Sequence, residues 1–320
     1  MSNTKNKRNF SLDMLKFLLS FLIVIHHTPS PYHDFVTPLT TCAVPIFFMI
    51  SGYLIFGREI TIDRTKKNAK RILMIFCWSL VLFFFWYLIR HGVIYKPNYK
   101  DILLFVFVNN EPLSGHLWYL MAYVYALVFI LILVFKDKIK WFFYIAPILM
   151  GLYFVADGWH IYYDVPRYLT LVYCFRNFAF TAIPMMCIGA FFRMQKDTYS
   201  CKYLLLSVFV LGVLAILEMN IFHVNHIADV YFLTIPLSIT IFLLFCNIKV
   251  STPNCIATCG EKYSLYIYIL HPIVIKILID KWGNSCLTGM IVFVITLFIS
   301  ILYVTIKNTV IKIKYKILYI

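Results

Sequence analysis

Two residues able to hold charge and move protons bracket the first apolar stretch of the chain. Lys16 follows Leu12-Asp13-Met14-Leu15, the run Phe17 to Ile25 is apolar, and His26-His27 close it. In an α-helix, residues eleven apart fall about 20° past three full turns, so Lys16 and His27 share one face about 16 Å apart along the axis. His26 lies about 80° away from Lys16, which makes His27 the better partner. Histidine can act as a general base near neutral pH. An ammonium near one end of a face and an imidazole near the other suit a polar conduit along the helix. The alternative is that Lys16 snorkels to an interface and the two histidines only end the segment.

Two further stretches have chemical potential. Pro45-Ile46-Phe47-Phe48-Met49-Ile50-Ser51-Gly52-Tyr53-Leu54 sets a small notch, Ser51-Gly52, in a bulky apolar segment. It suits close helix packing or the approach of a substrate to backbone. Arg64, Lys66, Lys67, Lys70 and Arg71 crowd eight residues. The spacing of Arg64, Lys67 and Arg71 places them on one helical face, and clusters of this kind hold phosphate groups. Ordinary loop charge is the competing account.

The elements that carry these residues follow from composition. The chain has 320 residues, of which 62% are hydrophobic and 13% charged, with a mean hydropathy of +0.83. Soluble domains have about 45–50% apolar and about 25% charged residues. A transmembrane helix needs about 20 apolar residues, so the apolar content suffices for roughly ten spans. Little chain remains for loops, which excludes a soluble enzyme, a secreted disulfide scaffold and a DNA-binding module. The net charge of +15 is explained by Lys and Arg in short cytoplasmic loops rather than by a nucleic-acid partner. Nine cysteines are scattered without a CxxC pair. Cys255 and Cys259 have no following histidine pair, so no metal site is expected and the cysteines act as small hydrophobes. The basic start before Leu12–Ile25 resembles a signal peptide but lacks a small-residue cleavage site, so it is expected to persist as the first span.

Ten apolar segments can be placed, at 10–27, 42–57, 71–90, 117–135, 140–156, 176–192, 203–222, 230–248, 263–280 and 286–306. With these boundaries, 22 of the 29 basic residues fall on one side and seven on the other. That asymmetry orients both termini to the cytoplasm. The expected fold is all-α: a polytopic helix bundle of about ten transmembrane helices in a single domain over 1–320. The stretch 101–110 is apolar but too short to span, so it is expected to be interfacial or re-entrant.

These segments resemble acyltransferase family 3, the bacterial integral-membrane acyltransferases. The resemblance rests on Leu12-Asp13-x-Leu15-Lys16 with His27, and on Pro45 to Leu54. It continues in Lys67-Asn68-Ala69-Lys70-Arg71-Ile72-Leu73, His116-Leu117-Trp118-Tyr119-Leu120 and Ile183-Pro184-Met185-Met186-Cys187-Ile188-Gly189. The last match is Gly260 to His271-Pro272. Family members usually have Arg where Lys16 stands, and some branches have Glu near Tyr123. The resemblance implies an O-acyltransferase of the bacterial cytoplasmic membrane. It would move an acyl group, usually acetyl, from cytoplasmic acetyl-CoA to a hydroxyl of a cell-surface or exported polysaccharide or its lipid-linked precursor.

Carried over by position, His27 is the catalytic imidazole and Lys16 its basic partner, while Arg71 with Arg64, Lys67 and Lys70 holds the CoA phosphates. His116 and Trp118 meet the sugar or form an interfacial belt. Mid-span His271 is a functional candidate, or it bonds a carbonyl freed by Pro272. Lys276 and Glu218 snorkel at helix ends. Branches with an attached esterase-like domain are not expected, since the chain ends soon after the tenth segment. No permanently bound cofactor is implied. A competing class is a transporter or flippase for a glycan intermediate or an amino acid, which would need no CoA. A third is a non-catalytic membrane scaffold.

Overall fold

The computed structural model describes residues 8–109, 111–156, 176–195, 197–221, 232–283 and 285–318, with helices and no strand among them. Lys5, Lys7, Arg167 and Lys196 of the charge pattern lie outside these residues. An apolar chain with no water at hand must satisfy backbone groups within each segment, and helices do so.

Helix α1 (Phe10–His27) begins at Asn9, whose side chain accepts from the Ser11 and Leu12 amides. Its residues Leu12, Leu15, Leu19 and Ile23 are buried, the three-and-four spacing of a core-facing stripe. The chain then forms α2 (His33–Thr40), α3 (Ala43–Phe56), α4 (Ile62–His91), α5 (Tyr99–Val108), α6 (Trp118–Phe135) and α7 (Trp141–Ala156). A π-turn at Phe178–Ala182 leads into α8 (Ile183–Gln195), followed by α9 (Cys201–Ile221), α10 (Thr234–Asn247), α11 (Cys255–Lys262), α12 (Ser264–Trp282) and α13 (Thr288–Leu318). α1 is central: α2, α3, α10, α11, α12 and α13 all pack on it.

Seven stretches are long and apolar enough to cross a membrane: Phe10–His27, Phe35–Phe56, Ile62–His91, Gly115–Phe135, Phe178–Gln195, Cys201–Ile221 and Thr288–Val310. α11 and α12 together pass as an eighth, bent by 70°. The expected segments 140–156 and 230–248 form α7 and α10, helices of 16 and 14 residues. Both fall below the roughly 20 residues a full crossing takes. The described residues therefore contain seven or eight crossing elements by length, where the sequence predicts ten.

Two other expectations change, for the basic stretch before residue 71 and for Glu218. The basic stretch expected as a loop before residue 71 is helical from Ile62, with the Thr61 side chain accepting from the Arg64 amide. Residues 101–108 of the 101–110 stretch lie on α5, a helix of ten residues started by a reciprocal Asn98–Asp101 cap and too short to span; Asn110 lies outside the described residues. Glu218 does not snorkel: it is buried, and its two oxygens accept from the Phe232 and Leu233 amides at 3.0 Å each. Those N–H groups lie at the start of α10, where a helix end presents donors without intrahelical partners. Lys276 is exposed.

Small residues set the closest helix crossings. A Cβ at Gly52 would overlap the Met186 carbonyl, and one at Gly189 would overlap the Met49 carbonyl, so α3 and α8 cross backbone to backbone. Gly260 on α11 likewise abuts the Asp13 carbonyl of α1. Of the two readings of the Ser51-Gly52 notch, close packing is what Gly52 does.

Candidate active site

The bundle gathers three imidazoles that are remote in sequence. The ring centroids of His27, at the end of α1, and His271, in α12, are 5.1 Å apart. His116 precedes α6, with its ring 5.2 Å from that of His271. His26 packs edge-on to His27 at 5.2 Å, and its Nδ1 lies 3.0 Å from the Thr40 hydroxyl of α2. His33 follows at 6.0 Å from His26.

Local structure fixes how two of these rings point. His271 is fully buried, and its Nδ1 is 3.2 Å from the Ile267 carbonyl. A carbonyl only accepts, so Nδ1 carries the proton and the Nε2 of the neutral ring is a lone-pair acceptor. This is the backbone-bonding reading of His271, yet its Nε2 stays open for chemistry. His116 sits on a 3₁₀ turn (Gly115–Leu117) held by Glu111, whose oxygens accept from the Leu113 amide at 2.8 Å and the Ser114 amide at 2.6 Å. Its Nδ1 lies 2.6 Å from the Ser114 hydroxyl. The Nε2 atoms of His116 and His271 are both buried without a hydrogen-bond partner among the described residues. Buried polar atoms of this kind call for a ligand or an ordered water. No three His, Cys, Asp or Glu side chains among the described residues are arranged to hold a metal ion.

Phenols and a hydroxyl continue the cluster toward the other end of the bundle. Tyr268 donates to the His116 carbonyl and stacks obliquely on its ring at 5.3 Å. Tyr119 lies 5.5 Å from Tyr268, and Tyr123 is 6.5 Å from Tyr119. The Ser51 hydroxyl donates to the Phe47 carbonyl at 2.9 Å and lies beside the Tyr119 and Tyr123 phenols. A row of polar groups thus leads from the imidazoles along α6 to Tyr123.

Lys67, Lys70 and Arg71 are exposed on the first turns of α4, while the Arg64 guanidinium donates to the Glu59 carbonyl at 2.9 Å. Lys16 is not near His27. Its Nζ lies 3.0 Å from Asp13 at the start of α1, and Asp13 also pairs with Arg8 at 2.7 Å. Arg8 in turn pairs with Glu261 of α11, and the Glu261 bond is the main cause that holds the Arg8 guanidinium above its ordinary value. The fold therefore brings His27, His116, Trp118 and His271 together. It leaves Lys16 in an ionic network at the opposite end.

Arg176 is a member of the cluster that sequence reasoning assigns only to loop charge. Its guanidinium stacks over Trp118 at 4.8 Å, and its charge reaches His26, His27, His116 and Tyr268. Position alone carries no sign of this. The sequence feature beside it is Asn177, whose side chain accepts from the Ala179 and Phe180 amides and starts the π-turn, a geometry frequent at functional sites.

An apolar helical bundle with seven or eight elements long enough to cross a membrane, and with imidazoles and phenols buried inside it, is that of a polytopic membrane protein. Residues 9–306 match the acyltransferase domain of acyltransferase family 3, and the chain belongs to that family. The chain is 28% identical over 340 residues to an amino-acid racemase of Enterococcus faecalis, covering 95% of this chain and 47% of that protein. It is 24% identical over 291 residues to a serine/alanine racemase of Enterococcus gallinarum, covering 83% of this chain and 40% of that one. The chain thus spans less than half the length of these curated relatives. No solved structure matches it.

Proposed function

We propose that the protein is an O-acyltransferase of the bacterial cytoplasmic membrane, with both termini in the cytoplasm. It takes an acyl group, acetyl in the first instance, from acetyl-CoA and esterifies a hydroxyl of a cell-surface or exported polysaccharide or its lipid-linked precursor. The observation that carries this reading is the row of polar side chains, Tyr123, Tyr119 and Tyr268, that leads from the imidazoles of His116, His271 and His27 into the bundle. A donor whose phosphates sit at Arg64, Lys67, Lys70 and Arg71 would lay its thioester arm along that row. Lys16, held by Asp13, adds positive charge at the same mouth.

In the reaction, His27 takes the proton of the acceptor hydroxyl while its oxygen attacks the thioester carbonyl. The C–S bond breaks, and the proton passes to the CoA sulfur. The Nε2 lone pair of His271, beside His27, steadies the protonated ring between these steps. His116 and Trp118 face the acceptor. The test is acetate analysis of envelope glycans from cells carrying wild-type protein or His27→Ala at equal protein level. Loss of glycan acetate supports the assignment, and unchanged acetate refutes it.

A second reading is transport of a small amino acid. It draws on the Enterococcus relatives, amino-acid racemases of which the chain spans less than half the length. Purified protein distinguishes the two, since a transporter has no use for acetyl-CoA and moves serine or alanine into vesicles without it.

A further inference from the structure

We propose that His33 and His26 line an entry between α1 and α2 through which a neutral, hydroxyl-bearing acceptor reaches His27 from the outer face of the membrane. The acceptor and the orientation rest on the acyl-transfer reading above. The entry itself stands on the geometry of α2, which packs on α1.

Helix α2 turns its polar face inward. At 100° per residue His33, Thr37, Thr40 and Thr41 lie within about 100° of one another, and Phe35 lies on the opposite face. Thr37, Thr40 and Thr41 are buried, whereas Phe35 is 59% exposed and the N-capping residue Tyr32 is 64% exposed. A helix on the surface of a water-soluble domain carries the reverse pattern. In the crossing stretch Phe35–Phe56, hydroxyls inward and aromatics outward mean lipid on one side and polar groups on the other.

The inward hydroxyls hold the first imidazole. Thr37 donates to the His33 carbonyl at 2.7 Å, and Thr40 and Thr41 donate to the Thr37 carbonyl at 3.1 and 3.0 Å. A threonine hydroxyl has one proton, so Thr40, 3.0 Å from His26 Nδ1, accepts there. The neutral His26 ring therefore carries its proton on Nδ1 and keeps a lone pair on Nε2. Ring centroids step from His33 to His26 over 6.0 Å and from His26 to His27 over 5.2 Å. All three residues are half-buried and keep part of their surface open to solvent, unlike the buried His116 and His271. His33 Nδ1 is enclosed, with no hydrogen-bond partner among the described residues. A buried polar atom of this kind calls for a ligand or an ordered water. The lone pair of His26 recognises a donor. A sugar hydroxyl supplies one, and an ionised carboxylate, which only accepts, does not.

The first experiment uses the full chain in membrane vesicles of both orientations. His33→Cys, His26→Cys and Phe35→Cys are treated with a charged, membrane-impermeant methanethiosulfonate, and each site is read by peptide mass analysis against wild-type protein. The thiolate is the reacting form, and each unit by which apolar surroundings raise a thiol pKa removes about nine-tenths of it. The thiols at positions 33 and 26 should therefore react from the outer face at least about tenfold faster than the one at position 35. Equal rates, or a faster reaction at position 35, overturn the entry. Reaction from the cytoplasmic face alone overturns outer-face access and the orientation above. Where a variant does not assemble, diethyl pyrocarbonate on wild-type protein replaces it. His33 and His26 should be carbethoxylated before His116 and His271, and the reverse order overturns the entry.

A kinetic split tests the occupant. Envelope glycan freed of acetate by mild alkali is the acceptor, and acetyl-CoA the donor, for protein in nanodiscs. His33→Ala and His26→Ala should each raise the KM for glycan about two- to tenfold, the worth of one neutral hydrogen bond, with the KM for acetyl-CoA unchanged. A shift in the KM for acetyl-CoA instead, or no shift in either, overturns the subsite. Outer-face labelling at positions 33 and 26 in a wild-type background that transfers nothing to the glycan keeps the entry and overturns the acyltransferase reading.

Discussion

His27 and His271 face each other at 5.1 Å between ring centroids, one at the end of the first long helix and the other in the middle of α12. The pairing explains why a histidine follows closely on an apolar run in both places. His271 spends its proton on the Ile267 carbonyl and turns a lone pair inward.

Substitution of the two rings should show them acting as a unit. General-base catalysis is worth about 10²–10⁴-fold, so His27→Ala should lower acyl transfer by that factor. His271→Ala should cost about 10²-fold with the KM for acetyl-CoA unchanged. Because residues that act together are non-additive, the double variant should be little worse than His27→Ala. Multiplying losses in steady-state kinetics would show that the rings act separately.

The basic turn of α4 should govern donor binding and leave the chemistry alone. Lys67→Ala with Lys70→Ala and Arg71→Ala should raise the KM for acetyl-CoA about tenfold or more, on the scale of lost charge-assisted bonds. Lys16→Met should also act on KM. Its ammonium pairs with Asp13, at the opposite end of α1 from His27. A fall in kcat at saturating acetyl-CoA, with KM constant, would place Lys16 in the chemistry.

Gly52→Ala and Gly189→Ala should each prevent normal assembly, since the added carbon overlaps the backbone of the facing helix. Gly151→Ala is the control. Nothing lies within 4 Å of its added carbon, and replacing a helical glycine by alanine stabilises by about 0.5–1 kcal/mol. Thermal unfolding in detergent reads all three.

Glu111 gives a pH test of the turn that holds His116. Burial pushes its carboxyl above the ordinary value, against the pull of the Leu113 and Ser114 amides. A raised folded-state pKa means that proton uptake stabilises the fold. That contribution is full below the unfolded value of 4.5 and is lost as pH rises through the folded value. Glu111→Ala should cost about 1–3 kcal/mol for each amide left unpaired. Against Glu111→Gln, wild-type protein should gain stability as the pH is lowered into the acid range. The opposite trend in denaturation midpoints would show that the amides outweigh burial.

Composition and periodicity were enough to predict an all-helical bundle, because apolar runs of about 20 residues satisfy their backbone within helices. The first segment, expected at 10–27, matches α1 at both ends, since the Asn9 cap and the closing histidines punctuate it. Other boundaries were less legible. The amphipathic start of α4 reads as a charged loop because its apolar residues begin late. α2, with Pro38 and its threonines, has no apolar run to announce it. The break between α11 and α12 at Tyr263 follows three residues after Gly260, which seats against the Asp13 carbonyl of α1.

The candidate site divides in the same way. Sequence alone nominated His27, at the end of an apolar segment, and His271, within one, since polar groups are expensive there; His116 and Trp118 entered with the family resemblance, at the opening of the fourth segment. Sequence also put Lys16 and His27 on one face, which helix geometry requires. Only the tertiary structure decided that Lys16 belongs to an ionic knot with Asp13 and Arg8, that Glu218 caps a neighbouring helix, and that Arg176 joins the imidazoles. Those are contacts between segments remote along the chain, and they depend on how helices cross, which one-dimensional spacing does not encode.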